Sequence, residues 1–203
     1  MDTYFYFVDK KPYFNITNKC SNDCDFCIRH DRATMDGQRL WLTDDQTPSA
    51  DKVIAQIPAD INFNQEFTFC GFGEPTENLP TYLAVAKYVK DKGGNVRLNT
   101  NGQSDLINGK PTAKEICAVT DTVSISLNDS TAKAYDDLCH CQFGQKGFDA
   151  LVNFAADCKK QGAKVIMSVV DVIGKQKIAE CQKICDDIGV TLRVRTYIPI
   201  SKY

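Results

Sequence analysis

The sequence predicts an α/β fold built on a parallel sheet. Two observations carry that expectation. From residue 66 onward, short β-branched or aromatic runs alternate with amphipathic helical stretches, and a glycine separates helix from following run at Gly94, Gly162 and Gly189. Glycine accepts the left-handed conformation that stops a helix, and strands separated by helices pair in parallel through right-handed crossovers.

The elements follow in order. Residues 13–17 read as the first strand, with residues 4–8 as a short pairing strand before it. Residues 28–65 form a long, charged excursion in which Trp41 and Leu42 are the expected anchors. Residues 66–70 are a strand, and Leu79, Tyr82, Leu83, Ala86 and Val89 form a helical stripe ending at Gly93-Gly94. A strand over 96–99, a short helix around 113–119 and a β-branched strand over 122–127 come next. The remainder reads as helix 148–161, strand 164–170, helix 175–188 and strand 191–197. No internal repeat breaks this pattern, and 203 residues suit one domain with its own core.

Composition narrows the function classes. A formal net charge of −2 leaves no basic footprint for nucleic acid. No apolar run approaches the roughly 20 residues that cross a bilayer, and Met1-Asp2-Thr3-Tyr4 lacks the basic region of an export signal. A cytoplasmic protein without membrane attachment is expected, so the ten cysteines should be reduced. Cys181 and Cys185 share a helical face with Ile178 and Ile188, and Cys158 shares one with Phe148, Leu151, Val152 and Ala155. Free cysteine packs there as a small hydrophobe.

Three cysteines are different. Cys20, Cys24 and Cys27 are spaced CxxxCxxC just after the first strand, with Phe26 before the last. A cubane iron–sulfur cluster takes four thiolates, so a set of three leaves one iron open for chemistry. The competing reading is a structural zinc site completed by His30, which stands three residues beyond Cys27 in the charged stretch Arg29-His30-Asp31-Arg32.

Other polar residues gather where the strands end, and parallel α/β folds place their sites outside those carboxyl ends. Gly71-Phe72-Gly73-Glu74-Pro75-Thr76 follows the second strand. It reads either as a tight βα turn or as a loop whose carbonyls and carboxylate hold an ammonium group. Asn99 and Asn101 suit a ribose or substrate hydroxyl, against ordinary turn chemistry at Asn101-Gly102. Ser126 and Asn128 end the fourth strand, where a serine also serves as a satisfied core hydroxyl. Arg195 suits a carboxylate bound bidentately, while it and Arg193 also suit ion pairs within the sheet. Cys139-His140-Cys141 and Cys70 are further thiol positions with no role fixed by the sequence.

The cysteine spacing, the GFGEP loop one strand later and the polar end of the fourth strand together resemble the radical S-adenosylmethionine (radical SAM) superfamily. The departure is Phe72, which stands where the commoner glycine-rich motif has its first glycine. The resemblance implies a partial (β/α)6 TIM-like barrel, a 4Fe-4S cluster on Cys20, Cys24 and Cys27, and S-adenosylmethionine chelated at the open iron. It further implies a 5′-deoxyadenosyl radical that abstracts a substrate hydrogen, and an electron donor of the flavodoxin or ferredoxin type. Gly71, Gly73 and Glu74 would hold the cofactor's amino group, Asn99, Asn101, Ser126 and Asn128 its ribose or the substrate, Arg195 its carboxylate, and Phe26 its adenine. Within the superfamily, FCGFGEPT, VRLNTNG, VSISLN, Leu138-Cys139 with Phe143-Gly144, and RVR before Tyr197 look like the TatD-linked radical SAM group, whose name implies no substrate. A peptide or protein segment and a small molecule, as in carboxydeazaguanine synthesis, are the two substrate readings. A zinc-stabilised or simple electron-transfer protein is the reading without radical catalysis.

Overall fold

The chain begins with β1 (Phe5–Val8) and β2 (Lys11–Phe14), an antiparallel hairpin in which Val8 faces Lys11. Asp9 and Lys10 both adopt positive φ, 49° and 63°, in the two-residue turn whose twist matches that of hairpin strands. In this computed structural model residues 2–30, 33–35 and 37–197 are described, so Met1 and the stretch residues Asp31 and Arg32 lie outside the described residues. The excursion after β2 carries a small hairpin of β3 (Thr34–Met35) and β4 (Gln38–Arg39), then α1 (Ala50–Ile54).

From β5 (Glu66–Phe69) the chain runs through α2 (Leu79–Asp91), β6 (Asn95–Thr100), α3 (Ser104–Asn108) and α4 (Ala113–Cys117). It continues with β7 (Thr122–Ser126), α5 (Ala132–Cys139), α6 (Lys146–Lys160), β8 (Lys164–Val170), α7 (Lys175–Ile188) and β9 (Thr191–Arg195). The sheet order is β1-β2-β5-β6-β7-β8-β9, parallel from β2 onward. Right-handed crossovers between strands taken in sequence order keep the helices on one face, as in a barrel wall; a doubly wound sheet reverses its order. Among the described residues the wall has six parallel strands, and β9 pairs with β8 alone. The fold is thus an α/β partial barrel. No described helix is long and apolar enough to cross a membrane.

Side-chain alternation divides the two faces of the sheet. Val96 and Leu98, Val123 and Ile125, and Val165, Met167 and Val169 are buried against the helices, where Tyr82, Val85, Leu151, Phe154, Cys181 and Cys185 meet them. The opposite, concave face is polar: register pairs Thr68 with Arg97, Asn99 with Ser124, Ser126 with Ser168, and Ser168 with Arg193. The cysteines on helical faces lie in the core as expected, and all ten are free.

Four local expectations need correction. The first strand ends at Phe14, not at residue 17, because Asn15 Nδ2 donates to Leu40 O (2.7 Å) and Asn18 exchanges hydrogen bonds with Leu42 through Nδ2 and Oδ1. Side chains there replace a strand ladder. Leu40 and Leu42 anchor the excursion, while Trp41 between them is 37% exposed. The left-handed stop of α2 is Gly93 (φ 86°), and Gly94 donates back to Val89 O at 2.9 Å. The last strand ends at Arg195, after which Tyr197 N donates to Asp171 Oδ1.

Candidate functional site

The loop from residue 15 to 27 leaves β2 and lies across the carboxyl ends of the strands, held from three sides. From the β5 side, Glu74 N donates to Lys19 O at 2.8 Å. Gly73 sits so close that a Cβ there would meet Thr17 O at 2.3 Å and Lys19 O at 2.6 Å, and a Cβ on Gly71 would meet Asn15 Oδ1 at 2.1 Å. The two glycines therefore serve the approach of the cysteine loop.

From the β6 side, Asn101 Nδ2 donates to Ser21 Oγ (2.8 Å), and Ser21 Oγ donates to Gln103 Oε1 (2.7 Å). Gln103 Nε2 reaches both Asn22 Oδ1 and the Tyr135 hydroxyl, which also accepts from Asn22 Nδ2. All five residues but Asn101 escaped the sequence reading. Their partners lie between 32 and 113 residues apart, and no local spacing signals such a network.

From the α5 side, backbone bonds run Asp23 N to Cys139 O (2.9 Å), Asp25 N to Leu138 O (3.1 Å) and Gln142 N to Ser21 O (2.9 Å). His140, left-handed at the end of α5, pairs with Asp25 at 2.6 Å. Cys139-His140-Cys141 is thus a clasp on the cysteine loop.

The three thiols are half-buried. Burial pushes Cys20 up to about 12, with the Glu74 carboxylate adding to it. A hydrogen bond with Cys139, then burial, pushes Cys24 up, and burial does the same to Cys27. Burial raises any thiol in this way, and a bound cation's charge would reverse the effect. Among the described residues no three His, Cys, Asp or Glu side chains converge as a single metal ion requires. His30, the expected fourth zinc ligand, pairs instead with Asp23 at 2.9 Å. A cubane asks only that each thiolate reach a separate iron, and three thiols on one loop fit that donor set.

Glu74 is buried and committed. Its Oε1 accepts from Thr76 N, Thr76 Oγ1 and Thr100 Oγ1, and its Oε2 from Asn101 N at 2.7 Å. Burial nonetheless pushes its carboxyl up. Asn101 is committed too, its Oδ1 accepting from Gln103 N. Asn99 Oδ1 accepts from Arg97 Nε and lines a cavity of about 220 Å³ with Tyr13, Cys70 and Phe72. Ser126 ends β7 beside Ser168. Asn128 is buried at positive φ, donates to Cys139 Sγ, and keeps its own Oδ1 without a partner. Phe26 and Arg195 line a second cavity, of about 450 Å³, with Ile28, Val170, Arg193 and Tyr197. Ile28 walls both cavities, so Phe26, Arg195, Gly71 and Asn99 lie along one rim.

A family model described as the radical SAM superfamily matches residues 14–188. No curated protein matches the sequence. Among solved structures the chain is similar to SuiB of Streptococcus suis, with a TM-score of 0.65 and 16% identity over 94% of this chain and 40% of that one. The same protein bound to S-adenosylmethionine matches at 0.65 and 17% over 92% and 40%. A radical SAM methyltransferase from Sphaerobacter thermophilus matches at 0.64 and 12% over 97% and 70%. At these identities the likeness is one of fold, and the chain spans 40% of the length of SuiB.

Proposed function

The chain belongs to the radical SAM superfamily, and from that premise we propose that it is a radical SAM enzyme whose Cys20, Cys24 and Cys27 hold the 4Fe-4S cluster. The superfamily uses that cluster together with S-adenosylmethionine, which supply a 5′-deoxyadenosyl radical for hydrogen abstraction when bound. The observation that carries the reading is the triple bracing of the cysteine loop by the glycine loop, the Ser21–Gln103–Tyr135 network and the α5 clasp. Such bracing fixes three thiols before any metal arrives, which is what a preorganised ligand set needs.

This chain's own residues orient and shield. Phe26 and Arg195 would bind the cofactor's adenine and carboxylate in the 450 Å³ cavity. The unpartnered Asn128 Oδ1 would accept from a ribose hydroxyl. Asn99 would act from the neighbouring 220 Å³ cavity and Ser126 from the end of β7, while Asn101 keeps the cysteine loop in place. Because the Glu74 carboxylate already takes four donors, the cofactor's ammonium would rest chiefly on carbonyls of the Gly71–Gly73 turn, with Glu74 holding that turn to β6.

The finer assignment to the TatD-linked group rests on the sequence blocks named above. A peptide or protein segment is the substrate class we favour, because exposed Val194 and Tyr197 line the same cavity as Arg193 and Arg195. An external flavodoxin or ferredoxin would reduce the cluster, in the cytoplasm. The test is anaerobic reconstitution followed by spectroscopy of the reduced cluster with and without S-adenosylmethionine. A cubane spectrum that the cofactor perturbs supports the reading; bound zinc without iron or sulfide refutes it.

A further inference from the structure

We propose that the substrate segment is acidic, and that Arg193, backed by Arg97, holds one of its carboxylates on the concave face of the sheet. The inference deepens the reading above and rests on it. Among the described residues the seven strands of the main sheet carry one carboxylate, Glu66, against Lys11, Arg97, Lys164, Arg193 and Arg195. Side-chain alternation sets all six on the face turned away from the helices. The whole chain, by contrast, has a formal net charge of −2. Positive charge gathered in a walled hollow focuses its field on an anion. Arg97 gives its Nε to Asn99 Oδ1 at 2.9 Å, and among the described residues neither Arg97 nor Arg193 meets a carboxylate.

The acids around this face are already engaged. Asp23 pairs with Arg29 and His30, Asp25 with His140, and Asp171 Oδ1 accepts from Tyr197 N at 2.9 Å. Glu74 accepts from Thr76, Thr100 and Asn101. Glu66 stands at the amino end of β5, whereas Arg193 and Arg195 lie toward the carboxyl end of β9. Register places Arg193 beside Ser168, which is 6% exposed and whose hydroxyl has no hydrogen-bond partner among the described residues. An open guanidinium beside an open hydroxyl is a donor set for a carboxylate. Arg193 also lines the cavity of about 450 Å³ with Phe26, Val194 and Tyr197, which offer apolar surface to the rest of a peptide.

The cofactor and the cluster leave this charge unanswered. S-adenosylmethionine brings a sulfonium and an ammonium against one carboxylate, and Arg195 answers that carboxylate in the reading above. The cation acting on the three cluster thiols is Arg29. Arg97 acts elsewhere: burial pushes the Cys70 thiol up, and Arg195 and Arg97 both oppose it. Guanidinium groups from β6 and β9 thus share one space at the end of β5.

The experiment is a calorimetric titration of the reconstituted full chain, with S-adenosylmethionine present, using three capped peptides. These are Gly-Tyr-Glu-Glu-Tyr-Gly and its counterparts with glutamines or lysines in place of the glutamates. The glutamate peptide should bind about tenfold or more tightly than the glutamine peptide, and the lysine peptide weakest of all. Arg193→Gln should weaken the glutamate peptide by about tenfold and leave the glutamine peptide unchanged. Arg193→Lys keeps the charge but loses the fork and should fall between. Lys160→Gln, on an exposed pair at the end of α6, should bind like wild type. Where Arg193→Gln does not fold, Arg193→Lys and Arg97→Gln should each bind the glutamate peptide more weakly than wild type. Equal affinity for the glutamate and glutamine peptides overturns the inference, as does wild-type affinity in every folded Arg193 and Arg97 variant. Tighter binding of a thymidine hexanucleotide than of the glutamate peptide also overturns it, because the face then selects phosphate. A chain that loads its cluster and releases 5′-deoxyadenosine but ignores the glutamate peptide refutes the inference alone. A chain that takes up no cluster refutes the parent reading, and the inference with it.

Discussion

Replacing Gly73 by alanine tests how the glycine loop and the cysteine loop depend on each other. The new Cβ would stand 2.3 Å from Thr17 O and 2.6 Å from Lys19 O, both backbone atoms that cannot swing aside. To reach ordinary van der Waals separation the two loops must part by about 1 Å. Overpacking of that kind costs about 1–3 kcal/mol. Parting also stretches the 2.8 Å bond from Glu74 N to Lys19 O, worth about 0.5–1.5 kcal/mol net. A loss of about 2–4 kcal/mol is expected from these two sources together, read by urea denaturation of the cluster-free chain. Since Cys20 follows Lys19 directly, anaerobic iron uptake should fall in the same variant. Stability within about 0.5 kcal/mol of wild type, the range of a neutral surface change, together with full iron uptake, would refute the reasoning.

Further outcomes follow from the same geometry. Gly71→Ala should destabilise through its clash with the Asn15 side chain, and Asn15→Ala should relieve part of that, so a double-mutant cycle gives a positive coupling; additive effects would contradict the clash. Tyr135→Phe removes the acceptor of Asn22 Nδ2 and Gln103 Nε2, and the stranded buried donor should cost about 1–3 kcal/mol in chemical denaturation. At Asp2, burial opposes the charge, but N–H groups of Thr43, Asp45 and Asp44 and the Thr43 hydroxyl outweigh it and hold the carboxyl below its ordinary range. A depressed folded value stabilises above the unfolded one, about 3.9, and that contribution fades as pH falls through the folded value. Asp2→Asn should therefore lower stability at neutral pH and flatten its decline in acid; an unchanged acid limb in thermal melts would speak against the clamp.

What the sequence revealed depended on the range of the interaction. Parallel strands were legible because burial on one face leaves β-branched runs such as Val123 and Ile125, and the helix stops at Gly162 and Gly189 are left-handed as expected. The helix α5 was missed although Thr131 caps it by accepting from Ala134 N at 3.2 Å. At eight residues it is too short to repeat its apolar stripe. Trp41 looked like an anchor by size, yet the alternation of an extended segment buried its neighbours Leu40 and Leu42 instead. At the rim, residue types were readable and commitments were not. Glu74 and Asn101 looked like ligand groups, but both carry hydrogen bonds inside the protein, to partners across a loop that no local window contains. Gly71 and Gly73 read as a tight turn or an ammonium-holding loop, whereas what stands against them in the structure is the protein's own Asn15, Thr17 and Lys19.

The central claim, that three braced thiols make this chain a radical SAM enzyme, is tested most directly by product formation. Reconstituted protein given dithionite and S-adenosylmethionine should release 5′-deoxyadenosine, and Cys24→Ala should release none. A wild-type chain with a full complement of iron and sulfide but no 5′-deoxyadenosine, or product undiminished in Cys24→Ala, would contradict the account.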